Sequence, residues 1–285
     1  VRFSVIGDLH GSIANLRQII RKISKTDALF ITGDITGTIS YSLILKSILK
    51  SKKISREKYA ELVYNQYLPQ FIKFQIKSAK KIFSLLSKAN IPIFFTHGNS
   101  DVKEVREIFE EYSDKNSNFI YLGNSIVRFE DWIIVGYGYC SPAEYRIPFQ
   151  TPGEKEKKEI KEDLHQLETK IQEMLDKGEN LIFGIFHEPP KDSKLDYVPR
   201  KSSHGGSDLI KNHVSKIPYN YIFAGHIHES QNYEIEENAI LVNPGPLVNR
   251  EWAIVYPDEM IVSLKKIRIP LSIKGLIYRS REIFK

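Results

Sequence analysis

Residues 2–11 read RFSVIGDLHG: a largely apolar run, Arg2–Ile6, stops at a glycine and is followed at once by a carboxylate and an imidazole two residues apart. A run of this length, rich in Ile, Val and Phe, predicts a buried strand, and the glycine lets the chain turn sharply at its end. The same arrangement recurs four times. Ala28–Thr32 precedes GDITG (33–37), Ile91–His97 precedes GNSD (98–101), Leu181–Phe186 runs into FHEPP (186–190), and Tyr221–Ala224 precedes GHIHE (225–229). Helical patterns lie between the strands. Ser12 is placed to cap a helix with Ile13, Leu16, Ile20 and Ile23 on one face; residues 154–177 space Ile160, Leu164, Leu167, Ile171 and Met174 by three or four before Gly178. Strands alternating with helices predict an α/β layered fold. Ala239–Val242, Trp252–Tyr256 and Met260–Leu264 leave no room for helices, so a second, partly antiparallel sheet is expected to stack on the first.

Composition narrows the function class. The chain has 285 residues, long enough to bury a sizeable core, and its 16 glycines, 13 prolines and 11% aromatics exclude low-complexity and collagen-like readings. A single cysteine, Cys140, excludes an internal disulfide framework. No apolar run approaches the roughly 18 residues a membrane span requires, and no signal-like segment opens the sequence, so a soluble cytoplasmic protein is expected. The net charge of +6 is unevenly placed. Residues 39–81 carry ten basic and two acidic side chains, residues 264–285 seven and one, and the remainder is therefore acidic, at −8.

The five strand-end strings supply Asp8, His10, Asp34, Asn99, His187, His226 and His228. Carboxylate, amide oxygen and imidazole donors without a thiolate suit divalent Mn, Fe, Ni or Zn rather than a sulfur-bound structural zinc. Seven donors exceed one ion and match two if one carboxylate bridges. Asp8/His10 and His226/His228, spaced i,i+2, point the same way in an extended chain. Two divalent ions against two carboxylates leave net positive charge, which attracts a phosphoryl group and stabilises the charge that grows during its displacement. Taken singly, each Asp after Gly is an ordinary turn former and each histidine an ordinary polar residue. Five such strings, each ending a strand, point to chemistry.

Their order resembles the calcineurin-like metallophosphoesterase superfamily, over roughly residues 1–250. The resemblance implies a β-sandwich of two mixed sheets flanked by helices. It also implies one metal on Asp8, His10, Asp34 and His228, and another on Asp34, Asn99, His187 and His226, with Asp34 bridging and a metal-bridging hydroxide as the nucleophile. GNSD, HGGS (204–207) and VNPGP (242–246) are most similar to the small phosphodiesterase-like branch; Ile35, Thr36 and Gly37 follow the bridging aspartate where the protein phosphatases have an arginine. One departure stands out: many members carry a histidine after the asparagine ligand, and here that position is Ser100. A serine hydroxyl is a poor general acid but donates a hydrogen bond to a phosphate oxygen. His97 and His204 are the histidines that could stand in, whereas His165 and His213 fall on helices away from the strings. Asp101 is expected to orient a metal-binding histidine. Asp34, Asn99, Ser100 and His204 are therefore the expected catalytic residues.

Residues 39–81, with no glycine and one proline, read as an inserted basic helical cap on a domain spanning 1–263. Lys46, Lys50, Lys52, Lys53 and Arg56 accompany Tyr41, and Lys58, Lys73 and Lys77 interleave with Tyr59, Tyr64, Tyr67, Phe71 and Phe74. That pattern suits a nucleotide or a single-stranded nucleic acid, and a nuclease is the alternative enzyme; the same aromatics serve equally as the buried face of the cap helices. The basic tail, 264–285, is apolar enough to pack on the body or on a second subunit, which makes a homo-oligomer a candidate assembly. A non-catalytic scaffold of the same fold is the remaining reading, and it is disfavoured because all seven donor positions carry competent residues.

Overall fold

Strands buried on both faces carry apolar residues at successive positions, and the alternation of side chains then sends neighbours into different cores. Leu29 and Ile31 join one buried cluster and Phe30 between them joins another; Ile93 and Phe95 divide from Phe94 in the same way. The computed structural model describes residues 1–37, 68–142, 151–178, 181–235 and 239–268. In chain order its elements are β1 (Phe3–Ile6), α1 (Ile13–Ile23), β2 (Ala28–Ile31), α2 (Leu68–Leu86), β3 (Ile93–Phe95), α3 (Lys103–Lys115), β4 (Phe119–Tyr121), β5 (Asn124–Phe129), β6 (Trp132–Tyr137) and α4 (Lys157–Leu175). They continue with β7 (Leu181–Phe186), β8 (Tyr197–Val198), β9 (Ser203–His204), α5 (Asp208–Val214), β10 (Tyr221–Ala224), β11 (Asn232–Ile235), β12 (Ile240–Asn243), β13 (Glu251–Tyr256) and β14 (Ile261–Lys266).

Two mixed six-stranded sheets result, in the orders β14-β13-β1-β2-β3-β4 and β11-β12-β10-β7-β6-β5, with β8 and β9 as a separate hairpin. β1 to β4 run parallel, as do β6, β7, β10 and β12. Phe3, Val5, Phe30 and Phe94 of the first sheet meet Phe183, Ile185, Phe223 and Val242 of the second in one core. Phe30 stacks on Phe94 and on Phe183 at centroid distances of 5.3 and 5.6 Å, contacts worth about 0.5–1.5 kcal/mol each beyond area burial. α1, α2 and α3 cover the outer face of the first sheet, and α4 and α5 cover that of the second. The layers are therefore helix, sheet, sheet, helix, the sandwich that the strings imply.

Two details differ from the sequence expectation. β13 and β14 do not join the second sheet; β13 pairs antiparallel with β1 in the first. Short spacing correctly excludes helices there, but it does not specify which sheet edge a returning strand meets. The second difference concerns the basic stretch. From residue 68 onward it forms α2, whose Phe71, Gln75, Ala79, Ile82 and Phe83 face the body while Lys73, Lys77, Lys80 and Lys81 occupy its other positions, so this part belongs to the helical layer rather than to a cap. Residues 38–67 lie outside the described residues. Leu264 to Lys266 complete β14 and Ile267 packs on the first core, whereas residues 269–285 of the expected tail also lie outside. Among the described residues no helix is long and apolar enough to cross a membrane.

Candidate metal centre

Because β1, β2 and β3 are parallel, the segments leaving them emerge on one edge of the first sheet, carrying Asp8 and His10, Asp34, and Asn99. β7 and β10 deliver His187, His226 and His228 from the second sheet. The two edges are bonded together. The His187 ring Nδ1–H donates to the Thr32 carbonyl (2.8 Å), and the His226 backbone N–H donates to the Asp8 carboxylate (3.0 Å). Ligand sites gather at the carboxyl ends of parallel strands for this reason.

The seven donors fall into two groups joined by Asp34. In the first, His228 Nε2 lies 3.3 Å from Asp8 Oδ1 and 3.2 Å from His10 Nε2, and His10 Nε2 lies 3.6 Å from Asp34 Oδ2. In the second, Asn99 Oδ1 lies 3.0 Å from His187 Nε2 and 3.2 Å from His226 Nδ1, and His187 Nε2 lies 3.6 Å from Asp34 Oδ1. Each oxygen of Asp34 thus faces a different group. Donors bound at about 2.0–2.2 Å to a shared ion have edges of this length. Asp8 and Asp34 are 1% and 4% exposed, and among the described residues their ion pairs are with imidazoles alone. Buried carboxylates are costly unless a cation compensates them, and converging imidazole, carboxylate and amide-oxygen atoms are donors that divalent ions take, so this donor set fits divalent metal.

Electrostatics reinforces the fit. Burial alone raises a carboxyl, yet the His228 hydrogen bond and the His228, His187 and His10 charges hold Asp8 well below the usual carboxylate range. Asp34 is held low against the same burial by His187 and His10. Burial, with the His187 and His228 charges, pushes His226 down to about 4, leaving a neutral ring with a lone pair at neutral pH.

Backbone strain concentrates here. Asp8, His10, Asp34 and His226 adopt positive φ of 40, 42, 44 and 66°, a left-handed conformation costing about 1–3 kcal/mol at a non-glycine residue. It persists because neighbouring bonds hold it, including the His10 backbone N–H to the Asp34 carbonyl (2.9 Å). Gly98 is equally constrained: a Cβ there would fall on Asp34 Oδ1.

The surrounding contacts correct one expectation and add residues. Asp101 does not touch a histidine. Its buried carboxylate accepts from the Ile35 and Thr36 backbones (3.1 and 2.9 Å), the Thr36 hydroxyl (2.7 Å) and the Gly98 backbone (3.0 Å), stapling the two loops that carry Asp34 and Asn99. Asp101→Asn aims an amide N–H₂ at backbone N–H groups. A loss of about 2–4 kcal/mol is expected, read as a lower urea midpoint together with weaker metal retention. An unchanged midpoint would remove the staple role.

Ser100 is buried, its N–H donates to Asp34 Oδ1 (2.9 Å), and its hydroxyl has no hydrogen-bond partner among the described residues. His97 is committed elsewhere, with Nδ1 2.7 Å from the Tyr121 hydroxyl and Nε2 3.5 Å from Arg106. His204 joins neither donor group; its Nδ1 lies 2.6 Å from the fully buried Asp196. Two contributors had no sequence signal beyond their residue type. Thr151 Oγ1 accepts from Asn99 Nδ2 (3.3 Å), turning the Asn99 oxygen toward the histidines, and Cys140 Sγ lies 4.0 Å from His226 Nδ1. The donor strings contain no thiol, yet the fold brings one to them.

Comparison with known proteins follows the same lines. A Thermus thermophilus protein of known structure is similar in fold, with a TM-score of 0.62 at 12% identity over 94% of this chain and 99% of that one. A dimetal phosphatase from Danio rerio has a TM-score of 0.53 at 9% identity over 93% and 95%. In sequence, an uncharacterised Methanocaldococcus jannaschii protein is 30% identical over 152 residues, which is 52% of this chain and 62% of that protein's length. The calcineurin-like phosphoesterase profile matches residues 1–230, a span that holds every one of the seven candidate donors, and the chain therefore belongs to that family.

Proposed function

We propose that the chain hydrolyses a phosphodiester or nucleotide ester with two divalent ions, drawn from Mn, Fe, Ni and Zn. Asp34 carries this reading, because its two oxygens face two separate donor groups. Asp8, His10 and His228 complete one group, and Asn99, His187 and His226 complete the other. When bound, the ions supply a hydroxide nucleophile at neutral pH and positive charge against the phosphoryl oxygens. The protein's own part is to hold that geometry. Thr32 fixes the His187 tautomer and Thr151 the Asn99 amide, and the Ser100 hydroxyl, without a partner among the described residues, is available to donate to a phosphoryl oxygen. His204, its ring oriented by Asp196, is the second group proposed on the leaving-group side.

The test is to strip the full chain of metal, reload it with Mn, Fe, Ni, Co or Zn, and measure both stoichiometry and hydrolysis of bis-nitrophenyl phosphate and nitrophenyl phosphate. Two ions per chain with faster diester turnover are expected. Saturation at a single ion, or hydrolysis of neither ester with any of these metals, would overturn the reading; hydrolysis of the monoester alone would overturn its phosphodiester half.

A further inference from the structure

Cys140 lies three residues beyond the end of β6, where its backbone is clamped on both sides: its N–H donates to the Gly153 carbonyl and its carbonyl accepts from the Lys155 N–H, each at 3.0 Å. The residue is 1% exposed. Its sulfur is turned toward the second donor group, 4.0 Å from His226 Nδ1, and sulfur, a His187 ring nitrogen and a His226 ring nitrogen all lie within 4.8 Å of one another. The same His226 Nδ1 faces Asn99 Oδ1 at 3.2 Å, so amide oxygen and sulfur approach one point from two sides. With bonds of about 2.3 Å to sulfur and about 2.05 Å to nitrogen, a five-donor site has sulfur–nitrogen edges of about 3.1–3.8 Å. The observed 4.0 Å lies just beyond that range.

We infer that Cys140 is a further ligand, as thiolate, to the ion held by Asp34, Asn99, His187 and His226. This rests on the two-metal reading and deepens it. The donors around Cys140 are identified independently of it, and the sulfur enters a set that already converges. Binding exchanges the thiol proton for the metal: the S–H bond breaks, a metal–sulfur bond forms, and the proton leaves to the buffer. Two consequences follow. A soft donor in one group and none in the other makes the two sites unequal, so the Cys140 site favours Zn or Co over Mn. The thiolate also adds a negative charge to that site, lowering its pull on a phosphoryl oxygen relative to the site of Asp8, His10 and His228.

Cobalt provides a readout that does not depend on turnover. The stripped full chain, reloaded with Co(II) and assayed for bound metal, is expected to hold two ions and to show a thiolate-to-cobalt charge-transfer band in the near ultraviolet. Cys140→Ser should abolish the band and weaken Zn binding about tenfold, while Mn binding changes less than about threefold. Cys140 is the chain's single cysteine, so a band in the unaltered protein can come from no other residue, even if the variant fails to fold. Two bound cobalt ions without the band would overturn the thiolate ligand and leave the two-metal reading standing. No bound cobalt would overturn both. Equal losses of Zn and Mn affinity in the variant would assign Cys140 to packing alone.

Discussion

Asp34→Asn is expected to lower turnover of a nitrophenyl phosphodiester by about 10³-fold or more and to reduce bound metal from two ions per chain toward one. The expectation comes from the division of labour in the side chain, with Oδ2 3.6 Å from His10 Nε2 and Oδ1 3.6 Å from His187 Nε2. An amide offers an oxygen to one group and an N–H₂ to the other, which repels a cation. The substitution isolates that effect well, since Asn tolerates the left-handed conformation that residue 34 adopts at φ 44°. Folding is therefore preserved, and metal content measured with turnover reports the bridge itself. A variant that keeps two ions and a tenth of the activity would exclude bridging by Asp34.

The candidate donors are legible in the sequence for a local reason. Each sits within a few residues of a strand end, and strand, glycine and polar residue are written contiguously, as in SVIGDLHG and FAGHIH. The alternation of Leu29, Phe30 and Ile31 likewise carries both cores in three letters. What escaped is non-local. Asp101 closes the Asn99 string, and metal-binding histidines usually need an orienting carboxylate, so a histidine partner is the natural expectation, whereas three of its four bonds go to Ile35 and Thr36, 65 or 66 residues away. Cys140 meets His226 across 86 residues, a distance no motif encodes. Composition misled at α2 because a helix covering a core shows basic residues on its solvent side and apolar ones beneath, and a count of charge registers only the former.

Ser100→His is expected to raise turnover of an alkyl phosphodiester about a hundredfold while changing that of a nitrophenyl diester less than about threefold. Position 100 adjoins the proposed ligand Asn99, and its backbone N–H is already bound to the Asp34 carboxylate at 2.9 Å, so a side chain there leaves close to the candidate centre. The present hydroxyl is buried without a partner among the described residues; it can donate a hydrogen bond to phosphate but cannot give up a proton at neutral pH. An imidazole can do both. Its benefit depends on the leaving group, because a nitrophenolate departs without protonation and an alkoxide does not. Comparing kcat on the two esters in the same metal-loaded preparations therefore separates proton donation from a general change in the site. Equal changes on both would mean that Ser100 acts only through its hydrogen bond, with the leaving-group proton coming from another residue, for which His204 is the proposed source and His204→Gln the variant to compare.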